Sequence, residues 1–376
     1  MKKKICWVTP DCFLDTDLDY KLMSGLLQYY DIHWIVLFGV KNNRYKASDF
    51  DKLKQENPGL SVEFVYSGTR MRDPRQMFLF LKIAKLIHRA KPDAIYLSLM
   101  PTSPYILPLW WWLPKKKTIF VAHDGEVHAG YDHRKLIEIM RSICYRYARF
   151  VNMFSPNEAE KFHNHFPQAY IFQSVLALKD MGEPTDIRPI VDEKHPMRFL
   201  SFGSISYGKH KDLLIDAACK MYEQGYRNFR VSINGMCSNW DFYLKRIKYP
   251  EIFELSICSI PNEKIPNLFN SSHYLVQPYR IVTQSGPMKI AFRYNLPDIC
   301  SDLPGFSECI EGVNGYKFKS EDIDDLVRVM KRCIDNYPTD YVPLLKRMQE
   351  YTDEHYSYNT IIRGYYNMFD EVINQN

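Results

Sequence analysis

Short runs of apolar, β-branched and aromatic residues recur along the first half of the chain, with helical patterns between most of them. Each run is predicted to be a strand, and the runs cover residues 5–9, 32–38, 62–66, 94–99, 118–122 and 150–154. Apolar positions at the helical spacing predict helices over residues 18–29, 75–89, 135–146 and 157–165. Strands that alternate with helices are typical of a parallel sheet covered on both faces.

The same alternation restarts after residues 179–196, a polar, proline-bearing stretch that we interpret as a linker. Strands are predicted at 198–202, 229–233, 254–258 and 274–277, and helices at 211–223, 241–248, 262–270 and 286–294. Ser320 is predicted to cap a further helix that ends near residue 336. We therefore expect an α/β protein with two Rossmann-like, doubly wound domains, 1–178 and 197–355, that face each other across a cleft. A last helix, about 356–376, is a candidate to pack back onto the first domain.

The composition is that of an ordinary globular protein, because the 376 residues are 46% hydrophobic and 25% charged. These values exclude a disordered chain, a collagen-like fibre and a small disulfide scaffold. Nine cysteines without a Cys-x-x-Cys pair indicate reduced thiols and a cytoplasmic location, and no signal peptide is visible. Residues 94–114 carry no charge, but four prolines interrupt them. We predict a strand and a broken segment there rather than a membrane span.

The charge is uneven, since residues 1–180 sum to +8 and residues 181–376 to −3. Seven basic residues form a stripe in the first half: Arg70, Arg72, Arg75, Lys82, Lys85, Arg89 and Lys91. The stripe is either a solvated helix face or a helix that lies on an anionic membrane surface. Residues 110–112 are three tryptophans and residues 115–117 are three lysines. This cluster is either an interfacial anchor or a set of rings packed under a loop.

Two loops of the second half are candidate phosphate sites. The first joins a predicted strand to a helix and contains Gly203, Ser204, Tyr207 and Lys209. Glycine lets the backbone approach a ligand, and Lys209 supplies a cation beside a helix start. An ordinary loop with a solvated lysine is the alternative, because the pattern is neither a Walker A nor a dinucleotide fingerprint.

The second loop contains Gln284, Ser285 and Gly286 and opens a helix at Pro287. Ser285 can cap that helix, and the amides of Ser285, Gly286 and Met288 would then face an anion. An ordinary capped helix is the alternative. Two such loops on neighbouring strands of one domain favour phosphate binding.

In the first half, His123 and Asp124 follow a predicted strand at the edge where ligands of α/β sheets bind. A histidine there can transfer a proton or bind a substrate hydroxyl near neutral pH. A structural histidine is one alternative. A metal site with His128 is another, but no second ligand pair supports it.

The second half resembles the nucleotide-sugar-binding domain of retaining GT-B glycosyltransferases of the group 1 or family 4 type. The match is an ordered series of short motifs: Gly203-Ser204-Ile205, Tyr207-Gly208-Lys209, Asn234-Gly235, Pro278-Tyr279-Arg280, Gln284-Ser285-Gly286, Glu308 and Asn314-Gly315. His123-Asp124 matches the family's His-Asp after an inner strand of the first domain. The resemblance covers essentially the whole chain and is strongest over residues 199–318.

Three departures from the family pattern bear on the donor site. Ser204 stands in place of an arginine that contacts phosphate, and Val282 and Ile290 stand in place of a pair of glutamates. Residues 9–11 replace a glycine-rich loop after the first strand. Contacts with the donor nucleotide are therefore expected to differ from those of the family.

The resemblance implies transfer of a sugar, with retention, from a nucleoside-diphosphate sugar to a saccharide or polyprenyl-diphosphate-linked acceptor, in surface polysaccharide or glycan synthesis. It assigns catalytic roles to His123, Asp124 and Lys209. It assigns donor binding to Gly203, Ser204, Tyr207, Gly235, Cys258, Gln284, Ser285 and Gly286. No cofactor and no metal are expected, because Lys209 and a helix start serve the phosphates.

The acceptor is expected to bind to the first domain. The protein is expected to lie peripherally at the anionic inner face of the cell membrane. Nucleic acid is not an expected partner. A GT-B protein that has lost catalysis and serves as a binding or scaffold partner is the alternative. Val282 and Ile290 favour it, whereas Lys209 and His123 oppose it. A different nucleotide-sugar enzyme, such as an epimerase, is a third candidate.

Overall fold

The computed structural model describes residues 2–11, 16–39, 43, 45–68, 73–127 and 133–375. Arg70, Arg72 and His128 lie outside these residues. The chain divides into two units, one formed by Met1–Leu176 with Tyr358–Asn376 and the other by Ala177–Ser357.

The first unit alternates strands and helices along the chain. Its elements up to residue 176 are β1 (Lys3–Pro10), α1 (Thr16–Leu26), β2 (Tyr30–Phe38), α2 (Asp51–Glu56), β3 (Leu60–Tyr66), α3 (Gln76–Ala90), β4 (Ala94–Leu97), α4 (Leu107–Trp112), β5 (Thr118–Val121), α5 (Arg134–Tyr145), β6 (Phe150–Met153), α6 (Pro156–His165) and β7 (Tyr170–Gln173). The seven strands form one parallel sheet in the order β3-β2-β1-β4-β5-β6-β7. Inner strands such as β4 and β5 are buried at every residue, because helices cover both faces of a parallel sheet.

The second unit repeats this plan with a six-stranded sheet. Its elements are β8 (Met197–Phe202), α7 (Lys211–Glu223), β9 (Phe229–Asn234), α8 (Trp240–Leu244), β10 (Phe253–Ser256), α9 (Ile265–Asn270), β11 (Tyr274–Gln277), α10 (Gly286–Arg293), β12 (Asp298–Ser301), β13 (Gly315–Phe318), α11 (Ile323–Asp335) and α12 (Tyr341–Tyr356). The parallel order is β10-β9-β8-β11-β12-β13. The order reverses between β8 and β11, so the loops after these two strands border the place where open α/β sheets bind ligands.

The last helix, α13 (Tyr358–Asn374), belongs to the first unit. The Trp7 ring lies 5.7 Å from the rings of both Tyr365 and Phe369. The Tyr30 hydroxyl donates to the backbone oxygen of Tyr366 at 3.2 Å. Aromatic packing therefore holds the end of the chain against β1 and β2.

Every strand predicted from the sequence coincides with a strand of the structure to within a few residues. The short strands β7, β12 and β13 and the helices α2, α4 and α12 were not predicted. The prediction that Ser320 caps α11 is wrong. The Asp322 carboxylate accepts from the amides of Asp324 and Asp325 at 3.1 Å instead, because the helix begins at Ile323, two residues later than a cap at Ser320 requires.

Residues 179–196, interpreted as a linker, contain no helix or strand and lie within the second unit. The Arg188 guanidinium donates to the backbone oxygens of Asn295 and Tyr294 at 2.9 and 3.0 Å. The Val191 amide donates to the Tyr337 hydroxyl at 3.2 Å. This segment is thus bound to its own unit by hydrogen bonds rather than by a regular element.

The uncharged segment after Asp93 begins with the predicted strand, β4, and continues in a short helical turn and α4, which were not predicted. Among the helices described, none combines the length and apolar character that a membrane crossing requires.

Candidate functional site

Two glycines bring together the loops that follow β8 and β9. Gly203 has φ +99° and Gly235 has φ +148°, backbone angles that favour glycine. The Gly203 amide donates to the Asn234 oxygen at 3.0 Å. A Cβ built on Gly235 would lie 2.0 Å from the Gly203 oxygen, so no larger residue fits without moving the loop. These glycines let two backbones touch at the carboxyl edge of the sheet.

Lys209 ends a helical turn that precedes α7, and its ammonium lies 3.8 Å from the centre of the Tyr279 ring. Burial lowers the pKa of Lys209 to about 8, and no described carboxylate contributes to that shift. A partly buried cation without a counter-ion is costly, and an anionic ligand would offset that cost. His210 then adopts a left-handed conformation, φ +48°, which turns the chain into α7.

The loop before α10 meets the loop before α7. The amides of Arg280 and Ile281 donate to the Gly208 oxygen at 3.0 and 3.3 Å. A Cβ built on Gly203 would lie 3.7 Å from the ring of Pro287, in the first turn of α10. The structure therefore places both candidate phosphate loops side by side, as the switch in strand order predicts.

Ser285 caps α10, since its hydroxyl accepts from the Met288 amide at 3.2 Å. The sequence prediction that the Met288 amide is open to an anion is therefore wrong. Among the described residues, the amides of Ser285 and Gly286 have no recorded acceptor, and open space surrounds the Gly286 Cα. These two amides can receive a phosphate oxygen at the positive end of the helix.

A buried polar network, which the sequence did not predict, lies beneath these loops. The Ser285 hydroxyl donates to the Gln277 side chain, whose amide donates to the Asp298 carboxylate. Lys211 donates to the Ser201 hydroxyl and is almost fully buried. Burial, with a smaller effect from Lys209, lowers the pKa of Lys211 to about 7. Burial also raises the pKa of Asp298 to about 8.

No local signal marks Lys211 as buried, because a lysine in the first turn of a helix is normally solvated. Its ammonium lies 5.4 Å from the centre of the same Tyr279 ring that Lys209 contacts. Two lysines thus flank one buried ring. Among the described residues, Asp298 is the acidic group whose charge raises the pKa of Lys211, against the larger effect of burial.

The other predicted donor residues divide into two groups. Tyr207 is exposed, and the Arg280 guanidinium lies 4.4 Å from the centre of its ring. Ser204 is exposed and Gln284 is partly exposed, and both belong to the joined loops. Cys258 follows β10, two strands away from β8 in the sheet, and is exposed. The structure therefore places the other predicted donor residues around Gly203 and Lys209. Cys258 lies apart from them, two strands away in the sheet.

In the first unit, His123 and Asp124 follow β5 at the carboxyl edge of the sheet, as predicted. The His123 ring stacks on the Phe154 ring with centroids 5.3 Å apart. Arg141 donates to the backbone oxygens of Asp124 and Gly125, at 2.6 and 3.1 Å.

Glu158, which is fully buried, anchors the same loop. It accepts from the Gly125 amide at 2.7 Å. Neither Arg141 nor Glu158 could be singled out from the sequence, because each acts through backbone groups that are distant in sequence. Their effect is to fix the His123 loop while leaving the His123 side chain partly exposed.

Among the described residues, no three His, Cys, Asp or Glu side chains come together in a way that would hold a metal ion. Glu308, a residue of the family-like series, pairs with the buried Lys289 and accepts from the Tyr356 hydroxyl at 2.7 Å. That carboxylate is engaged in packing α10 against α12.

No family model and no curated protein matches the sequence. Solved structures do match the fold over the full chain. A glycosyltransferase from Rickettsia africae is 13% identical with a TM-score of 0.72, and covers 100% of both chains. HepE from Anabaena, solved with UDP, is 15% identical with a TM-score of 0.69, over 99% of this chain and 100% of its own.

Sucrose-phosphate synthase from Thermosynechococcus elongatus is 12% identical with a TM-score of 0.73, and covers 100% of both chains. At these identities the likeness establishes architecture. The two parallel sheets with alternating helices are the two Rossmann-like domains of the GT-B fold.

Proposed function

We propose that the chain is a glycosyltransferase that moves a sugar from a nucleoside-diphosphate sugar to a saccharide or lipid-linked saccharide acceptor, with retention, in surface polysaccharide or glycan synthesis. The observation that carries this proposal is the position of Lys209. It is a partly buried cation that has no carboxylate partner among the residues the structure describes, on a loop that adjoins the amino end of α10. A fixed cation and two helix amides suit the diphosphate of a sugar nucleotide.

Lys209 would stabilise the charge that grows on the leaving diphosphate as the bond to the sugar breaks. The Ser285 and Gly286 amides would bind phosphate oxygens from the other side. Because these groups are already in place, little reorganisation is needed in the transition state. Lys211, held behind Tyr279, would add positive potential without contacting the ligand.

A uridine nucleotide is the first donor candidate. HepE has been solved with UDP and with UDP-glucose, and it shares the fold over nearly the whole chain. No cofactor and no metal are part of the proposal, because the lysine and the helix start serve the phosphates. The first unit would supply the acceptor site, with His123 and Asp124 at its sheet edge. We place the protein in the cytoplasm, peripherally on the inner face of the cell membrane.

The competing proposal is a GT-B protein that binds nucleotide sugars without turnover. Val282 and Ile290 favour it, since neither can hold a ribose hydroxyl as a carboxylate does. Ile290 is moreover buried in the core of the second unit. This alternative predicts binding of a nucleotide but no sugar transfer or donor hydrolysis.

Thermal denaturation with UDP, GDP, CDP and ADP tests the donor site. A ligand that binds only the folded protein stabilises it by about 2.7 kcal/mol at a hundred times its Kd. We expect one nucleoside diphosphate to raise the melting temperature, and no response to any of the four would contradict the proposal. Release of free nucleotide from the matching sugar nucleotide then separates an enzyme from a binding protein.

A further inference from the structure

A cavity of about 340 Å³ lies at the edge of the first sheet that carries the amino ends of β4 and β5. Its walls are apolar and include Ala84 and Ile87 of α3, Ile95 of β4, and Leu113 and Trp112 at the end of α4. The candidate His123 loop follows the carboxyl end of β5, at the opposite edge of this sheet. The cavity is therefore separate from the residues assigned to sugar transfer.

Basic side chains surround the mouth of this apolar cavity. Lys91 and Lys117 line it together with His88, and Lys85 is exposed one turn before His88 on α3. Among the described residues, no carboxylate is recorded as a partner of Lys85, Lys91 or Lys117. Elsewhere on the basic stripe, Arg75 pairs with Asp73, and Arg89 pairs with Glu63.

The stripe residues that pair with described carboxylates, Arg75 and Arg89, are therefore not those that line the cavity. The cavity differs from an ordinary solvated helix face because it joins basic side chains to apolar walls.

Two tryptophans are exposed beside the cavity, which is unusual for a soluble surface. Trp111 is 62% exposed and Trp112 is 54% exposed, whereas Trp110 packs in the core on Phe120. Lys115 and Lys116 are exposed just after them. Indole rings next to lysines are typical of protein surfaces at the boundary between headgroups and acyl chains.

We propose that this cavity binds one anionic lipid, with an acyl or isoprenoid chain between α3 and α4 and a phosphate on Lys91 and Lys117. The apolar walls match the chain, and the unpaired lysines match the charge. A neutral lipid would leave both lysines without a counter-ion. The proposal extends the membrane placement in the proposed function, but it does not depend on any sugar transfer.

Fluorescence quenching by lipids with brominated acyl chains tests the proposal, because bromine quenches only indoles that it contacts. Brominated phosphatidylglycerol in phosphatidylcholine vesicles should quench the full-length protein, and brominated phosphatidylcholine alone should not. The Trp112→Phe variant should lose most of the quenching. Water-soluble farnesyl phosphate is a second probe, and stronger binding of it than of phosphatidylglycerol would identify the chain in the cavity as isoprenoid rather than acyl.

Two variants separate charge from cavity. Lys91→Glu with Lys117→Glu should weaken vesicle binding at least about tenfold, since each basic residue near an anionic surface contributes substantially. Ala84→Met should fill the cavity and reduce quenching to the level that surface contact of Trp111 and Trp112 alone produces, while vesicle binding through the lysines persists. Lys194→Glu with Lys264→Glu, the same charge change at exposed sites of the second unit, is the matched control and should behave as wild type.

Melting temperatures with and without UDP report whether each variant is folded and keep this test independent of the donor site. If Ala84→Met unfolds the protein, Ala84→Val is the replacement, since it fills part of the same space with less added volume. Equal quenching by both brominated lipids, or quenching that cavity filling leaves unchanged in a folded variant, would overturn the proposal. Vesicle binding that the control variant reduces as much as the Lys91 and Lys117 pair would also overturn it.

Discussion

Lys209 and Tyr279 form the closest lysine–aromatic pair at the candidate donor site, with the ammonium 3.8 Å from the ring centre. The ring is buried, and it supports the cation without neutralising it. A carboxylate in the same place would compete with a phosphate for the lysine. This pairing keeps Lys209 in position and leaves its charge for a ligand.

Lys209→Ala should weaken UDP binding roughly tenfold or more, because a charge-assisted phosphate contact contributes about 1.5–3 kcal/mol. The fold should survive, since the variant removes a cation that is costly to bury. Calorimetric titration with UDP measures the effect. Lys245→Ala, at an exposed lysine of the same unit, is the control. Wild-type affinity in a folded Lys209→Ala protein would exclude Lys209 from the site.

Gly235→Ala should destabilise the second unit and abolish its response to nucleotide. The added methyl group would lie 2.0 Å from the Gly203 oxygen, so the two loops would have to separate. Gly225→Ala is the matched control, since Gly225 also has a positive φ but nothing within 4 Å of the added carbon. We expect a cost of about 1–3 kcal/mol from backbone strain in the control and more in Gly235→Ala. Urea denaturation with and without UDP decides between them.

Asp298→Asn should stabilise the protein increasingly as the pH rises. Burial raises the pKa of Asp298 from 3.8 to about 8, so the folded state keeps a proton that the unfolded chain releases. The destabilisation of the folded state by Asp298 is therefore absent below about pH 4, grows up to about pH 8 and is constant above it. In that window the free energy of unfolding of the variant should rise relative to that of wild type by at most about 1.4 kcal/mol per pH unit.

Urea denaturation of both proteins across this pH range measures the gain. Because Asp298 also raises the pKa of Lys211, the difference between the two proteins reports this coupled pair. Asp241→Asn, at an exposed carboxylate, should show no such trend. A difference between Asp298→Asn and wild type that does not change with pH would contradict the prediction.

His123→Ala should lower turnover about tenfold or more while UDP affinity stays unchanged. His123 lies in the first unit, whereas the residues proposed to bind the diphosphate lie in the second. Steady-state kinetics with the matched sugar nucleotide, beside a UDP titration, separates the two effects. His163→Ala, at an exposed histidine of α6, should leave both values unchanged. Full activity of His123→Ala would limit this histidine to stacking on Phe154.

Turnover should persist in excess chelator, because Lys209 and the amino end of α10 are proposed to stabilise the diphosphate. The measurement is the rate of nucleotide release with and without chelator, at saturating sugar nucleotide. Loss of activity that magnesium or manganese restores would show that a metal ion holds the phosphates. The UDP titration repeated in chelator distinguishes an effect on binding from one on chemistry.

The order of strands and helices was predictable from the sequence, because the periods of apolar positions are local. Runs such as 118–122 are short and rich in β-branched and aromatic residues, which favours buried strands, and the segment 75–89 has one apolar face. The structure buries Ile83, Leu86 and Ile87 of α3 and exposes Lys82 and Lys85, as that pattern predicts. Short strands such as β12 were missed because four residues carry too little periodicity.

The candidate donor loops were also predictable, since glycine, lysine and a capping serine have local conformational and chemical meaning. Gly203, Lys209 and Ser285 could be singled out without coordinates. The loops that carry these residues lie side by side because β8 and β11 are neighbours in the sheet. Only the tertiary structure established that strand order. The roles of Lys211, Asp298 and Glu158 were not predictable, because each depends on burial by residues distant in sequence.

The sequence by itself determined least about the electrostatic environment of the charged residues. It established seven basic residues in one segment, but not which of them have partners. The tertiary structure decided that Arg75 and Arg89 are paired with carboxylates, whereas Lys91 lies at the mouth of an apolar cavity. Sequence patterns report the neighbours of a residue along the chain. The potential at a site depends on neighbours in space, and Coulomb interactions and desolvation follow those distances alone.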